Sequence, residues 1–157
     1  MKYISKEATK IMDILTGDMH SLGAHRKIDN NNPDSGLMAV SVERINEVSH
    51  GPIYSVAHYY EQNGDLMADP DVEFLKVTHE GINYYYPLTY KQDGLGIYWQ
   101  HVIFEQQDGK TIYKYNRKGQ ADLSAFCNSW MRNIKHQQNI RTKEVKPHEQ
   151  RSSQAVP

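Results

Sequence analysis

Apolar residues near the start of the chain recur three or four positions apart, which is the spacing of one face of an α-helix. Ser5 stands just before this stripe and is a good N-cap residue, and Gly17 follows it and can end a helix. The pattern therefore predicts a helix from Lys6 to about Thr16. The stripe consists of Ile4, Ala8, Ile11, Met12 and Leu15.

The middle of the chain contains short runs rich in β-branched and aromatic residues, which favour strands. Turn sequences separate the runs: Glu80-Gly81, Asp93-Gly94, Asp108-Gly109, and a longer turn opened by Asn63-Gly64-Asp65. Connections this short join antiparallel neighbours and therefore predict a meander. The predicted strands are residues 38–43, 53–62, 72–78, 82–91, 97–106 and 111–115.

The strand over residues 82–91 has a clear alternation, which places five apolar or aromatic side chains on one face. Pro87 interrupts it on the other face and cannot donate a backbone hydrogen bond. We therefore expect this strand to lie at a sheet edge or to carry a bulge. The alternating residues are Ile82, Tyr84, Tyr86, Leu88 and Tyr90.

A second apolar stripe at helical spacing predicts a C-terminal helix that covers one face of the sheet. Asp122 is expected in its first turn, and Lys135 and His136 in its last, each matching the helix dipole. Together these elements predict an α+β fold, an antiparallel meander of five or six strands with an N-terminal and a C-terminal helix packed on it. The stripe consists of Leu123, Phe126, Cys127, Trp130, Met131 and Ile134.

Composition and charge refine the domain organisation. The 157 residues suffice for one domain, which we assign to residues 1–139. Residues 18–36 form a polar loop, and residues 140–157 lack an apolar period and are expected to form a flexible basic tail. The chain has one cysteine, no long apolar run and no signal-peptide pattern at its start, so we expect a cytoplasmic protein without a membrane partner.

Two sequences that resemble catalytic motifs have better structural explanations. Gly109-Lys110-Thr111 lacks the preceding glycine of a phosphate-binding loop and is followed by a predicted strand, so we interpret it as a hairpin turn. Cys127 lies on the apolar stripe of the last helix, where a thiol is desolvated and stays protonated. We therefore assign no catalytic residue, metal ligand or cofactor from the sequence.

The densest group of acidic residues spans 63–74. A structural turn, a surface for a partner and a site for a hard cation are all compatible with this composition, although the spacing differs from that of an EF-hand loop. Glu73 shares the parity of Leu75 and Val77, which predicts that its side chain points partly inward and has a hydrogen-bonding partner. The acids are Asp65, Asp69, Asp71 and Glu73.

Two other functions remain as alternatives. His58, His79 and His101 fall in three different predicted strands or at their ends, and with the four acids they could form the metal site of a hydrolase if they converged. A tyrosine-rich sheet face could stack the bases of single-stranded DNA or RNA, but the strands carry few cations, so we expect weak nucleic-acid binding. The tyrosines are Tyr54, Tyr59, Tyr60, Tyr84, Tyr85, Tyr86, Tyr90 and Tyr98.

The segment from Tyr59 to Phe74, with its Asn-Gly-Asp turn and Asp-Pro-x-x-Glu-Phe, resembles an uncharacterised family of small bacterial proteins encoded on plasmids and conjugative elements. The segment from Phe126 to Ile134 fits the closing helix of the same family. The resemblance implies an accessory protein of a mobile element, one that counters host defence. We therefore expect a non-catalytic module that binds a protein partner, through Asp65, Asp69, Asp71, Glu73, Tyr59 and Tyr60.

Overall fold

A computed structural model describes residues 1–142 and consists of a six-stranded sheet with two helices on one face and a β-hairpin on the other. The six-stranded sheet has the order β1-β2-β3-β4-β5-β6, every neighbour antiparallel, so the predicted meander is confirmed. The strands are β1 (His25–Ile28), β2 (Val40–Val48), β3 (Gly51–Gln62), β4 (Asp65–His79), β5 (Ile82–Gln92) and β6 (Ile97–Gln100). The hairpin consists of β7 (Val102–Phe104) and β8 (Ile112–Tyr115).

Both helices pack on the same face of the sheet. Helix α1 (Lys6–Thr16) begins at the predicted cap, where the Ser5 hydroxyl accepts a hydrogen bond from the Ala8 amide at 3.2 Å. Helix α2 (Arg117–Gln137) buries its apolar stripe beside α1, except for Phe126, which is partly exposed. The resulting core joins the stripes to Val40, Val42, Tyr54, Val56, Val72, Phe74 and Tyr85 of the sheet.

The opposite face of the sheet is divided into an apolar and a polar half. The β7–β8 hairpin covers the apolar half, where Val48, Ile53, Leu75, Leu88 and Val102 form a second, smaller core. The hairpin folds back onto the sheet because the chain leaves β6 at His101, whose amide still donates to the Leu88 carbonyl at 3.0 Å. The predicted strand 97–106 is therefore two strands that belong to different sheets.

Other boundaries also differ from the sequence prediction, among them the ends of the predicted strand 38–43, which is β2 over Val40–Val48. The turn after β3 is only Asn63-Gly64, both with positive φ, so the acidic segment from Asp65 onward is part of β4. Helix α2 starts at Arg117 because the Asn116 side chain caps it, which places Asp122 in its second turn. The predicted loop 18–36 contains the short edge strand β1. The last strand begins at Ile112.

The C-terminal end of the described chain stays against the domain. Gln138 is fully buried and its side-chain amide bonds the Asn30 amide and the Met38 carbonyl, while Ile140 packs on the main core. Residues 143–157 of the predicted tail lie outside the described residues. Within residues 1–142, neither helix has the length and hydropathy needed to cross a membrane.

Candidate functional site

A bulge in β5 turns one aromatic side chain onto the helix side of the sheet. Glu73 and Phe74 are adjacent in β4, but their partners in β5 are Thr89 and Pro87, which are two residues apart. Leu88 is therefore the extra residue of the bulge. The alternation predicted from Ile82 to Tyr90 therefore fails after Leu88: Leu88 packs in the smaller core, and Tyr90 packs against the main one. The bulge predicted from Pro87 is confirmed, and its consequence is the position of Tyr90.

Tyr90 forms the floor of an open cleft of about 510 Å³ between β5, β6 and the first half of α2. Its ring stacks on Trp99 at 5.3 Å between centroids and meets the edge of Phe126 at 5.5 Å. Trp99 is 51% exposed and Phe126 40%, although both are large and apolar. The lining residues are Tyr90, Trp99, His101, Asn116, Gly119, Asp122, Leu123 and Phe126.

The polar wall of the cleft is built at the start of α2. The Asn116 side chain accepts a hydrogen bond from the Gly119 amide at 2.9 Å, and the His101 ring lies directly against Gly119. A Cβ at position 119 would overlap that ring, so the close approach requires glycine. Partial burial lowers the pKa of His101 below its ordinary value, while the nearby Asp122 charge acts in the opposite direction. His101 is therefore mainly neutral at pH 7.

A hydrogen-bonded chain of side chains leads from the cleft floor to the strand that carries the acidic segment. The Tyr90 hydroxyl donates to Gln92 Oε1 at 2.6 Å, and Gln92 Nε2 donates to Asp69 Oδ1 at 3.0 Å. Burial raises the pKa of Tyr90, and the Asp69 charge adds to the effect. Tyr90 stays protonated as a donor, and the chain fixes its ring under Trp99.

Strand β6 forms one edge of the six-stranded sheet. In the part of the chain that the structure describes, β6 pairs with β5 alone, so its other edge has no strand partner. Such an edge offers backbone donors and acceptors to another extended segment. Neighbouring side chains of β6 point to opposite faces: Trp99 pairs with Tyr90 over the cleft, and Tyr98 pairs with Lys91 on the polar half of the other face.

Three of the six predicted partner-binding residues lie on the polar half of the sheet face opposite the helices. They are Tyr59, Asp71 and Glu73. The Ser55 hydroxyl donates to Asp71 Oδ1 at 2.6 Å, and the Tyr59 hydroxyl donates to Oδ2 at 3.4 Å. Thr89 Oγ1 donates to Glu73 Oε2 at 3.1 Å, which confirms the predicted inward direction of Glu73. Burial raises the pKa of both carboxyl groups; the hydrogen bond from Ser55 opposes this at Asp71, and that from Thr89 at Glu73.

The other three predicted partner-binding residues lie elsewhere. Asp65 is exposed at the start of β4. Asp69 accepts a hydrogen bond from Gln92, which links it to Tyr90 in the cleft. Tyr60 packs its hydroxyl against Gly94, in the 3₁₀ turn before β6. The structure therefore brings together Tyr59, Asp71 and Glu73, and it separates them from Asp65, Asp69 and Tyr60.

The three strand histidines occupy separate places. His58 is buried on the helix side, bonded to the Ala39 carbonyl at 2.9 Å and against the Trp130 ring. His79 is exposed beside Glu80 at the β4–β5 turn, and His101 lines the cleft. Over residues 1–142, no three His, Cys, Asp or Glu side chains are grouped so that they could hold one metal ion.

The two segments that resemble catalytic motifs have the structural roles predicted for them. Gly109-Lys110-Thr111 forms the β7–β8 turn, as predicted, with the Asp108 carboxylate accepting hydrogen bonds from the amides of Lys110 and Thr111. Cys127 is fully buried, and this burial raises its pKa well above the ordinary value, as its place on the apolar stripe predicts.

The predicted tyrosine face does not form one surface. Tyr54 and Tyr85 are buried under the helices, and Tyr84 and Tyr86 pack against Tyr3 on the opposite face. Sequence reasoning missed the cleft because Trp99 and Phe126 come from different elements. The available signals were the exposed position of Trp99 in a short strand and the place of Phe126 at the margin of the α2 stripe.

The chain belongs to a protein family defined by a domain of unknown function, DUF6908, whose model matches residues 6–140. The match covers both helices and all eight strands, so the family domain and the described fold coincide. The expectation of an uncharacterised family is thereby confirmed. No curated protein and no solved structure is significantly similar to the chain.

Proposed function

We propose that the chain is a non-catalytic module that binds a partner protein, and that an extended segment of the partner docks in the cleft beside β6. The observation that carries the proposal is the position of a half-exposed Trp99 and Phe126 over Tyr90, directly beside the edge of β6 that has no strand partner within residues 1–142. A pocket lined by aromatic rings with a few polar groups is typical of binding sites.

The two parts of the site would act together on one extended segment. Backbone groups along the free edge of β6 would add the segment to the sheet, which supplies affinity without regard to sequence. Side chains of an added strand alternate between the two faces, so every second one would point toward the cleft. Burial of that side chain against three aromatic rings would supply both affinity and selectivity.

The polar wall is suited to orienting a ligand. A neutral His101 offers one donor and one acceptor, and Asp122 and Asn116 provide oxygen atoms at the rim. In contrast, Cys127, the chain's only thiol, is buried and protonated. These features support a binding role for the cleft.

The biological setting follows from the resemblance to proteins of plasmids and conjugative elements. We place the chain among the accessory proteins of such elements, acting in the bacterial cytoplasm on a host protein, with the countering of host defence as its role. Asp65, Asp69, Asp71, Glu73, Tyr59 and Tyr60 remain the predicted partner-binding residues. Tyr59, Asp71 and Glu73 define a second surface, which the same experiment can compare with the cleft.

Affinity capture from the native host tests the proposal. Tagged wild-type protein, Trp99→Ala and Tyr98→Ala are compared, with nuclease treatment in every arm. Trp99 and Tyr98 are adjacent and similarly exposed but face opposite sides of the sheet, so they form a matched pair. We expect one partner to be retained by wild type and Tyr98→Ala and lost with Trp99→Ala. Loss with Tyr98→Ala alone would place the partner on the polar face and contradict the cleft.

A further inference from the structure

One stretch of the chain, residues 109–121, has a charge opposite to that of the rest. It contains Lys110, Lys114, Arg117 and Lys118 and no acidic residue. Residues 1–142 contain 15 Lys and Arg and 17 Asp and Glu, a net charge of −2, so the described chain outside this stretch carries −6. The cationic stretch forms strand β8 and the first turn of α2.

All four cations are available to a ligand. Each is exposed, and within residues 1–142 none of them takes part in an ion pair within 4.0 Å. The nearest acid before the stretch, Asp108, is held by the Lys110 and Thr111 amides and by the Thr111 hydroxyl at 2.7 Å. That carboxylate is therefore held in the β7–β8 turn.

Two exposed tyrosines alternate with these cations on β8. Tyr113 is 61% exposed and Tyr115 43%, and residues two apart on a strand share a face. Lys114 Nζ lies 5.6 Å from the centre of the Tyr113 ring. The Lys114 charge therefore lies beside an aromatic ring on the exposed surface of β8. This surface differs from the tyrosine-rich sheet face, whose strands carry mixed charge.

We infer that the β8 surface, defined as Lys110, Tyr113, Lys114, Tyr115, Arg117 and Lys118, binds single-stranded nucleic acid. The phosphates pair with the four cations, and bases stack on Tyr113 and Tyr115. Stacking on an aromatic ring suits any base, since every base has a π face, so the binding is tolerant of sequence. The inference is independent of the partner-protein proposal, because none of these six residues lines the cleft.

Fluorescence anisotropy with a labelled oligouridine of about 16 nucleotides tests the charges. Four phosphate contacts on a single strand predict a slope of about −2.8 for log affinity against log salt concentration. The double variant Lys114→Gln/Lys118→Gln removes two of the four cations that contact phosphates and should reduce the slope to about −1.4. The matched control is Lys6→Gln/Lys10→Gln, which removes the same charge from exposed positions on α1 and should leave affinity and slope unchanged.

Tyr113→Ala and Tyr115→Ala test the stacking. Each should weaken binding about five-fold or more, whereas Tyr98→Ala, an equally exposed tyrosine near Asp71 and Glu73, should have no effect. The inference is wrong if the oligonucleotide does not bind at low salt, or if the α1 control loses as much affinity as the β8 variant. It is also wrong if duplex DNA binds as tightly as the oligouridine and Tyr113→Ala and Tyr115→Ala bind with the affinity of wild type. Each of these failures would leave the cleft proposal intact.

Discussion

At the scale of single residues, Asp71 and Glu73 are placed where neither gains stability from its charge. Both residues are half-buried on the polar half of the sheet, and burial raises the pKa of each carboxyl group. Their hydrogen bonds with Ser55, Tyr59 and Thr89 only partly offset the desolvation. Ionisable groups kept in unfavourable positions are frequent at functional sites, which makes this face worth testing beside the cleft.

Glu73→Gln provides a pH test of that placement. A carboxyl group with a raised pKa in the folded state destabilises the fold as pH rises through that pKa, and the penalty disappears below the unfolded value. We therefore expect Glu73→Gln to unfold at a higher denaturant concentration than wild type at pH 7. The difference should shrink as pH falls and vanish below the ordinary pKa of 4.5. Denaturant unfolding at several pH values measures this, and a variant less stable at pH 7 would contradict it.

His101 and Gly119 form a second residue-scale pair. In Gly119→Ala the new methyl group would overlap the His101 ring, which can rotate toward solvent because it is the end of a side chain. We expect the protein to stay folded, since alanine is favoured over glycine in a helix by about 1 kcal/mol. The lowered pKa of His101 should then move up toward 6.5 as burial is lost.

NMR titration of the His101 ring proton reads out this shift. Ser129→Ala, an exposed change on the same helix, is the control and should leave the His101 pKa where it is in wild type. A pKa that is unchanged in Gly119→Ala would show that the ring does not contact position 119. The polar wall of the cleft would then need a different description.

At the scale of elements, α2 has two functions along its length. Its C-terminal half closes the main core through Trp130, Met131 and Ile134, while its first half forms one wall of the cleft. Trp130 is 6% exposed and packs on His58 and Phe126. Trp99 projects from β6, and one face of its ring is open. Of the two tryptophans of the chain, Trp130 therefore lies in the core and Trp99 lies exposed at the cleft.

Trp130→Ala should destabilise the fold by about 3–5 kcal/mol, as truncations of large buried aromatic residues do. Trp99→Ala should cost about 1 kcal/mol or less, since it loses only a stacked pair. Equilibrium unfolding in denaturant compares the two variants directly. Equal losses in both would mean that Trp99 belongs to the core and that the cleft is not an open site.

Elements with a regular apolar spacing or a clear turn sequence could be predicted from the sequence. Elements whose position depends on pairing with a distant strand could not. The stripe of α1 and the turns at Glu80-Gly81 and Asp108-Gly109 led to the right elements. Strand β1 was missed because it is a short polar edge held by pairing with β2. The break at His101 was missed because the apolar pattern continues through it while the chain changes sheets.

At the scale of the whole molecule, three surfaces differ in their chemistry. The aromatic cleft lies on the helix side of the sheet, the carboxylates of Asp71 and Glu73 lie on the other side, and the cationic surface follows the β7–β8 turn. No sequence pattern could combine the cleft residues in advance, because Tyr90, Trp99 and Phe126 come from three elements and the β5 bulge brings them together. The helices and the hairpin supply the core that holds these surfaces in place.

Backbone hydrogen exchange of the complex with the captured partner tests the central claim most directly. If a partner segment adds to the sheet, the amides of Ile97–Gln100 and of the first turns of α2 should exchange more slowly in the complex than in the free protein. The slowing should be retained in Tyr98→Ala and abolished in Trp99→Ala. Slowing confined to β4 around Asp71 and Glu73, with no change in β6, would contradict the account.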